Sequence, residues 1–166
     1  HIMFDKAFGT YTGKGSPRVE STNIYDLASL SKTTGTLLAI MKLYDKGRFN
    51  LTDKISDHLP FLQRTDKKDI HHPVQIGTTT WANPKFKFKS EYISPVKTGD
   101  YTVQICDSLW LNRSFRKVIE EKIAEAPLKQ KRYVYSDVGF ILLGMLVEQL
   151  AGMPMEAYLQ REFYEP

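Results

Sequence analysis

The stretch from Asp137 to Leu150 constrains the fold of this chain most, because nearly all of its side chains are apolar. Its length, and the Gly152 that follows it, predict a helix with a glycine at its C-terminal end. A helix that is apolar on every side is stable in water only when other elements cover it. The sequence therefore predicts a buried helix against which other parts of the chain must pack.

Two further helices are predicted from apolar residues at helical spacing. One runs from Leu30 to Lys46, is ended by Gly47, and is expected to be largely buried. Its apolar residues are Leu30, Leu37, Leu38, Met41 and Tyr44. The other runs from Ser114 to Ala126, with Ser114 as its N-cap. Pro154 is then expected to open a final amphipathic helix.

Extended structure is indicated less clearly. Apolar side chains on alternate positions predict that residues 2 to 12 form a strand, followed by a turn rich in glycine and proline. From residue 63 to residue 112 the pattern weakens, and this region is interpreted as an irregular insertion or lid. Within it, Phe86 and Phe88 alternate with lysines, as in an edge strand protected against aggregation.

The composition is ordinary for a globular protein and argues against several functions. With 166 residues, 42% apolar and 25% charged, the chain suits one domain over residues 1–166. The net charge of +4 is mild and the basic residues are scattered, so nucleic acid is not an expected partner. Cys106 is the only cysteine, and no histidine or cysteine spacing indicates a metal site. No apolar run approaches the roughly 20 residues that cross a bilayer.

Both ends of the chain resemble the interior of a longer protein. The predicted strand begins at the N-terminus itself, and Glu165 and Pro166 follow directly on the last predicted helix. We therefore expect a fragment of a longer protein, and the lack of a signal peptide then says nothing about location.

The pattern Ser-x-x-Lys occurs three times, beginning at Ser29, Ser94 and Ser114. A serine and a lysine one helical turn apart can serve as nucleophile and base. Ser94 precedes a proline in a stretch without helical pattern, so it is interpreted as a loop serine. Ser114 is interpreted as a helix cap. Ser29 differs because the apolar helix begins directly after it.

Burial beside that helix should lower the pKa of Lys32, so that its neutral amine can accept a proton. The N-terminus of the helix would also direct the Ser29 backbone N–H toward negative charge on a substrate oxygen. The alternative is a capping serine followed by a solvated lysine.

A second motif makes the Ser-x-x-Lys pattern at Ser29 more specific. It is Tyr135-Ser136-Asp137, at the start of the apolar helix predicted from Asp137. Together with Leu27-Ala28-Ser29-Leu30-Ser31-Lys32-Thr33 it resembles the serine β-lactamase and penicillin-binding-protein superfamily, in its class C-like and esterase-like branch. That family carries a Ser-x-x-Lys motif followed by a Tyr-x-Asn motif. The match covers about residues 2 to 62 and 126 to 166. It implies an α/β fold in which helices flank a sheet beside a helical region, with C-terminal strands missing from this chain.

The resemblance also implies a reaction. Ser29 would attack the carbonyl of a β-lactam, a D-amino-acid peptide or an ester, with Lys32 and Tyr135 sharing the proton transfers. An acyl-enzyme on Ser29 would follow, and no cofactor is implied. Bacterial origin, a peptidoglycan-type substrate, a location in the periplasm or cell envelope, and fusion to further domains are consistent with this family.

Two departures from the family pattern bear on activity. Asp137 stands where the family usually has Asn, and a carboxylate near Lys32 would stabilise its ammonium form. Our hypothesis is that Asp137 orients Lys32 or Tyr135. Lys97-Thr98-Gly99 matches the third family motif in letters but precedes Tyr135, so it is interpreted as coincidence. The strand with the second oxyanion donor would then lie beyond Pro166, and the isolated chain is expected to be weakly active or inactive.

Three functional classes remain open from the sequence. The first is a serine hydrolase, and the second is a noncatalytic penicillin-binding or sensor-type module of the same fold. The third is a scaffold segment without a pocket. His71 and His72 are interpreted as exposed loop histidines and His58 as a packing residue, so none of the three is assigned to a metal.

Overall fold

The computed structural model describes residues 2–71, 91–128 and 135–165. By contacts, the chain divides into two compact units, His1–Ser31 and Lys32–Pro166.

The first unit is built around a tight loop. The Val19 N–H donates to the Gly9 carbonyl at 3.2 Å and the Tyr11 N–H to the Pro17 carbonyl at 3.2 Å, so the chain doubles back on itself. The strand predicted over residues 2 to 12 is wrong, because only Thr10 pairs, in a single bridge with Arg18. Alternating apolar residues stabilise a strand only when a neighbouring strand satisfies its backbone, and residues 2–8 have no such neighbour within the described part of the chain.

The second unit combines helices with a small sheet. Its helices are α1 (Leu38–Asp45), α2 (Ile55–His58), α3 (Phe115–Glu125), α4 (Asp137–Ala151) and α5 (Met155–Leu159). A π-helix over Lys32–Leu37 leads into α1, a second π-helix over Gln160–Tyr164 continues α5, and a 3₁₀ turn spans Pro60–Leu62. The strands β1 (Ile93–Ser94), β2 (Tyr101–Cys106) and β3 (Leu109–Asn112) form an antiparallel sheet in the order β1-β3-β2.

The helix α4 confirms the prediction for the apolar stretch. It joins two core clusters, which lie on different parts of its surface. The first cluster contains Ile55, Leu59, Leu62, Ile70, Ile123, Val138, Leu142 and Met145. The second contains Ala39, Leu43, Val147, Tyr158 and Leu159. Because α4 supplies residues to both clusters, it connects α2 and α3, which contribute to the first, with α1 and α5, which contribute to the second.

The end of α4 provides a test of this helix boundary. Gly152 has φ +68°, a left-handed conformation that costs residues with a side chain about 1 kcal/mol. We expect Gly152→Ala to lower the free energy of unfolding by about that amount in urea denaturation. Gly144→Ala is the control, because its Cβ would meet the Met155 Sδ at an ordinary 3.9 Å within a helix. Since alanine favours helix over glycine by up to about 1 kcal/mol, Gly144→Ala should not destabilise. Equal losses of unfolding free energy in Gly152→Ala and Gly144→Ala would contradict a helix end at Gly152.

The predicted helix from Leu30 to Lys46 is correct in place but not in its buried face. Thr33, Thr34, Gly35 and Thr36 are poor formers of α-helix, and this stretch lies in the π-helix instead. Of the expected core residues, Leu30, Leu37, Met41 and Tyr44 are exposed, whereas Ala39 and Leu43 are buried. The small side chain of Ala39 lets this helix approach its neighbours, so packing selected a different face from the one that apolar spacing indicated.

An ion pair between the buried Lys67 and the exposed Asp66 holds the C-terminal end of α3. Lys67 is only 1% exposed, and its Nζ donates to Asp66 Oδ1 at 2.6 Å and to the carbonyls of Ala124 and Ala126. The other oxygen of Asp66 accepts the Leu128 N–H at 2.6 Å. These contacts satisfy carbonyls that a helix end leaves without intrahelical partners. We call Asp66 and Lys67 the α3 clasp.

The interpretation of residues 63 to 112 as irregular is wrong for much of the described part. Lys67 and Ile70 are buried, and β1, β2 and β3 occupy most of residues 93–112. The alternation of Val103 and Ile105 with polar residues in β2 was a strand signal within this region. Phe86, Phe88 and His72 lie outside the described residues.

The helix α3 is confirmed, but its predicted cap is not. The Ser114 Oγ makes no capping hydrogen bond and instead donates to Asn112 Oδ1 at 2.8 Å, while the Ser114 N–H donates to the same oxygen at 2.9 Å. Asn112 at the end of β3 therefore organises the turn into α3.

Among the described residues no single helix has both the length and the apolar composition to cross a bilayer. The helix α4 and the 155–164 segment meet those criteria only when taken together, and they are bent by 68° relative to each other.

Candidate functional site

Ser29 lies in a tight turn at the end of the first unit. The residues Ala28–Leu30 form a 3₁₀ turn in which the Leu30 N–H donates to the Leu27 carbonyl at 2.9 Å. Asp26 Oδ1 accepts the Ala28 N–H at 2.8 Å, and the Ser31 Oγ donates to the Ala28 carbonyl at 2.7 Å. The side chain of Ser31 therefore supports the turn, and both Ser29 and Ser31 are exposed.

Ala28 has φ +43°, which is unusual for a residue with a Cβ. Such a conformation costs about 1–3 kcal/mol and persists only when surrounding contacts impose it. Asp26 and Ser31 hydrogen-bond the two backbone groups of Ala28, its N–H and its carbonyl, and so impose it. Strained residues of this kind are frequent beside reactive groups, which makes the position directly before Ser29 notable.

Lys32 is the centre of a cluster in the second unit. Its Nζ lies 2.7 Å from Asp137 Oδ1 and also donates to the Tyr135 hydroxyl. The same nitrogen lies 5.4 Å from the centre of the Tyr135 ring and 5.7 Å from that of Phe140, both within range of cation–π attraction. We call Lys32, Tyr135, Asp137 and Phe140 the Lys32 cluster.

The start of α4 positions two members of this cluster. Ser136 is extended, with φ −149° and ψ 129°, and the chain turns from it into the helix. Tyr135 and Asp137 therefore flank a residue whose own side chain is buried, at 2% exposure. Asp137 is the first residue of α4, where the helix dipole favours a negative charge.

The expectation of a lowered pKa for Lys32 is wrong. Hydrogen bonding to Asp137 raises its pKa above the ordinary value, hydrogen bonding to Tyr135 raises it further, and partial burial opposes them with less effect. The Lys32 side chain is 18% exposed, while that of Asp137 is 74% exposed and well solvated. The effect of Asp137 on the pKa of Lys32 is therefore larger than the effect of dehydration, in the direction that Asp in place of Asn in the motif indicated.

The structure brings three of the four predicted site residues together. Lys32, Tyr135 and Asp137 meet in the second unit, while Ser29 belongs to the first unit, three positions before Lys32 along the chain. Phe140 was not predicted. Its spacing of three from Asp137 placed both on one helix face, and this was the available signal.

The other two Ser-x-x-Lys serines have local structural roles. The Ser94 Oγ donates to the Val96 carbonyl at 2.8 Å, and Lys97 Nζ lies 5.1 Å from the centre of the Trp110 ring. Ser114 is engaged by Asn112 in the turn into α3. Lys97, Thr98 and Gly99 lie in the connection between β1 and β2, where the Thr98 N–H donates to the Tyr101 carbonyl at 3.3 Å.

The histidines in the described residues have local partners. His58 Nε2 lies 3.0 Å from Asp53 Oδ2, so His58 pairs with a carboxylate as well as packing. The Asn50 N–H and His58 together hold the pKa of Asp53 below its usual range. His71 Nδ1 donates to the Thr52 carbonyl at 2.8 Å. Within residues 2–71, 91–128 and 135–165, no group of three or more His, Cys, Asp and Glu side chains is placed to hold a metal.

Curated relatives cover all or most of this chain. A Bacillus subtilis (strain 168) protein named N-acetylmuramyl-L-alanine amidase is 29% identical over 154 residues, covering 90% of this chain and 33% of that protein. A Salmonella agona (strain SL483) protein named "Putative D-alanyl-D-alanine carboxypeptidase" is 26% identical over 176 residues, covering 100% of this chain and 39% of that protein. The chain thus spans well under half of the length of either relative.

The fold and the family are also shown. The crystal structure of FmtA from Staphylococcus aureus superimposes with a TM-score of 0.54 at 16% identity, covering 82% of this chain and 33% of that chain, and this likeness confirms the β-lactamase-like fold. The family model described as Beta-lactamase matches residues 1–166. The resemblance seen in the two motifs is therefore confirmed, and this chain belongs to the beta-lactamase family.

Proposed function

We propose that this chain carries the nucleophile and the proton-transfer groups of a serine hydrolase that forms an acyl-enzyme on Ser29. The observation that supports this most directly is the Lys32 cluster, in which Lys32 contacts both Asp137 and Tyr135. Membership of the beta-lactamase family, whose model matches the whole chain, supports it independently.

In the proposed reaction, the Ser29 Oγ attacks the substrate carbonyl carbon while its proton passes to the neutral amine of Lys32. Collapse of the tetrahedral intermediate breaks the bond from carbon to nitrogen or oxygen, and Tyr135 relays the proton from Lys32 to the leaving group. Water then attacks the acyl-Ser29 ester, returns a proton to Ser29 Oγ through the same groups, and releases the carboxylic acid.

The substrate class that we propose is an amide or ester of the peptidoglycan type, such as a D-amino-acid peptide, or a β-lactam. The names of the two relatives refer to a muramyl–alanine amide and to a D-alanyl-D-alanine peptide, which supports this class. Action on such a substrate would place the protein in the cell envelope.

The second candidate is a noncatalytic penicillin-binding or sensor-type module that acylates without turnover. The raised pKa of Lys32 favours it, because an ammonium held by Asp137 cannot activate the water that would release the acyl group from Ser29. Both candidates share the acylation of Ser29 and differ in the fate of the adduct.

Labelled penicillin and a fluorophosphonate, each followed by intact mass over time, test the proposal in the complete protein. A hydrolase gives a transient adduct and releases product, whereas a sensor gives an adduct that persists. Absence of any adduct on Ser29 with both probes would reject both candidates and favour a scaffold segment without a pocket.

The role of Asp137 can be tested by the pH dependence of acylation. Because Asp137 raises the pKa of Lys32, Asp137→Asn should lower that pKa and move the rising limb of the rate–pH profile to lower pH. At neutral pH acylation should then be faster, since more Lys32 is neutral. Asp100→Asn is the control, because Asp100 is a similarly exposed carboxylate paired with Arg113 away from the Lys32 cluster. A profile and rate unchanged by Asp137→Asn would rule out this role.

A further inference from the structure

The π-helix that begins at Lys32 has a hydrogen bond from outside itself. The Tyr164 hydroxyl, at the end of the second π-helix, donates to the Thr34 carbonyl at 2.6 Å. A backbone carbonyl inside a helix normally serves the N–H of a later turn, so a second donor here adds to what the helix itself supplies.

The 155–164 segment lies against three consecutive residues of this π-helix. Thr34 accepts the Tyr164 hydroxyl, a Cβ built at Gly35 would lie 3.7 Å from Leu159 Cδ1, and Thr36 Oγ1 lies 3.7 Å from Met155 Sδ. The Leu159 and Met155 contacts are apolar or weak, so the Tyr164 hydroxyl makes the strongest polar contact among these three.

The form of this helix decides where Lys32 points. A π-helix has more residues in each turn than an α-helix, so conversion to α-helix would rotate Lys32 around the helix axis relative to α1. The Nζ distance of 2.7 Å to Asp137 would not survive such a rotation without rearrangement of the long side chain. Helix form and the geometry of the Lys32 cluster are thus coupled.

We propose that Tyr164 is a positioning residue, which holds the Lys32–Leu37 π-helix through the Thr34 carbonyl and so keeps Lys32 against Asp137 and Tyr135. This rests on the proposed function in one respect, namely that Lys32 assists acylation of Ser29. Tyr164 itself touches none of the reacting groups in this scheme.

The test compares Tyr164→Phe with Tyr44→Phe in the complete protein. Each variant removes one hydroxyl from a tyrosine of similar exposure, 55% for Tyr164 and 49% for Tyr44, and keeps the ring. Tyr44 contacts Phe49 through its ring, at 5.9 Å between centres. The probe is labelled penicillin, with the rate constant of acylation separated from the dissociation constant of the first complex.

We expect Tyr164→Phe to lower the acylation rate constant about three- to tenfold. This factor corresponds to the net free energy of one neutral hydrogen bond. The dissociation constant should stay unchanged, as should the rate in Tyr44→Phe. A purely structural role would instead lower the unfolding midpoint and leave the acylation rate of the folded protein as it was, and that result would overturn the proposal.

Amide hydrogen exchange of residues 32–38 provides a second readout that needs no reaction. Faster exchange in Tyr164→Phe than in Tyr44→Phe supports the positioning role, and equal exchange overturns it. If the parent protein forms no adduct on Ser29, the proposed function fails while this comparison still decides the role of Tyr164.

Discussion

Replacing Ser29 with alanine is expected to abolish covalent labelling by penicillin and to reduce any turnover by at least about a thousandfold, because no other group in the proposed scheme supplies the nucleophile. The measurement is intact mass with labelled penicillin, supported by hydrolysis of a chromogenic cephalosporin or a short acyl ester. Folding should be little affected, since Ser29 is exposed.

The chain offers matched controls for this substitution. Ser94→Ala and Ser114→Ala remove the serines of the other two Ser-x-x-Lys patterns, whose hydroxyls bond Val96 and Asn112. Both variants should be labelled like the parent. A Ser29→Ala protein that still carries one penicillin per chain would show that another side chain is the nucleophile, and the Lys32 cluster would then need a different explanation.

Replacing Lys67 with methionine should lower the free energy of unfolding by about 2–4 kcal/mol, more than Gly152→Ala does. Methionine fills a similar volume but leaves the half-buried carbonyls of Ala124 and Ala126 without the donor that Lys67 supplies. It also removes the partner of one Asp66 oxygen. Urea denaturation followed by circular dichroism measures the loss.

Lys68→Met is the control for the α3 clasp, because Lys68 is exposed and adjacent to Lys67. It should change stability by no more than about 0.5 kcal/mol. Similar losses in the two variants would mean that the buried ammonium contributes nothing beyond an average surface lysine, contrary to the contacts that the structure gives it.

The α3 clasp also predicts the sign of the acid response. Burial tends to raise the pKa of Asp66, but the Leu128 N–H and Lys67 outweigh it and bring that pKa below its ordinary value. A carboxyl group with a lowered pKa in the folded state contributes stability above its unfolded pKa and loses it as pH falls through the folded pKa. The difference in free energy of unfolding between the parent protein and Lys67→Met should therefore become smaller in acid, below about pH 4.

The structure could be predicted from the sequence where a pattern was compatible with only one arrangement of the chain. The stretch that forms α4 is apolar on all sides, so burial was the only stable outcome, and the Gly152 boundary followed from its conformational freedom. The family motifs identified Lys32, Tyr135 and Asp137 as neighbours although they are far apart in sequence. The direction in which Asp137 shifts the pKa of Lys32 could be argued from charge alone. Its size relative to the effect of dehydration depended on the exposure of Lys32, which only the fold defines.

Other features depended on choices that the sequence leaves open. The Leu30–Lys46 stretch carries apolar residues on more than one face, so spacing alone could not select Ala39 and Leu43 over Met41 and Tyr44. The strands β1 and β3 are too short to show a period, and they form because each finds a partner in the sheet. Phe140 shares a face of α4 with Asp137 by its spacing of three, but that spacing does not show that the Lys32 ammonium lies near the Phe140 ring.

The sharing of α4 between the two core clusters has a consequence for the ion pair at its start. The helix that follows Lys32 packs on α4 through Ala39, Leu43 and Val147, and Asp137 is the first residue of α4. The two charged side chains therefore lose much of their relative motion when the core forms, before any substrate arrives. A half-exposed pair of this kind adds little to stability, yet its partners are held at a high effective concentration, which lowers the entropy lost when the proton-transfer groups are aligned.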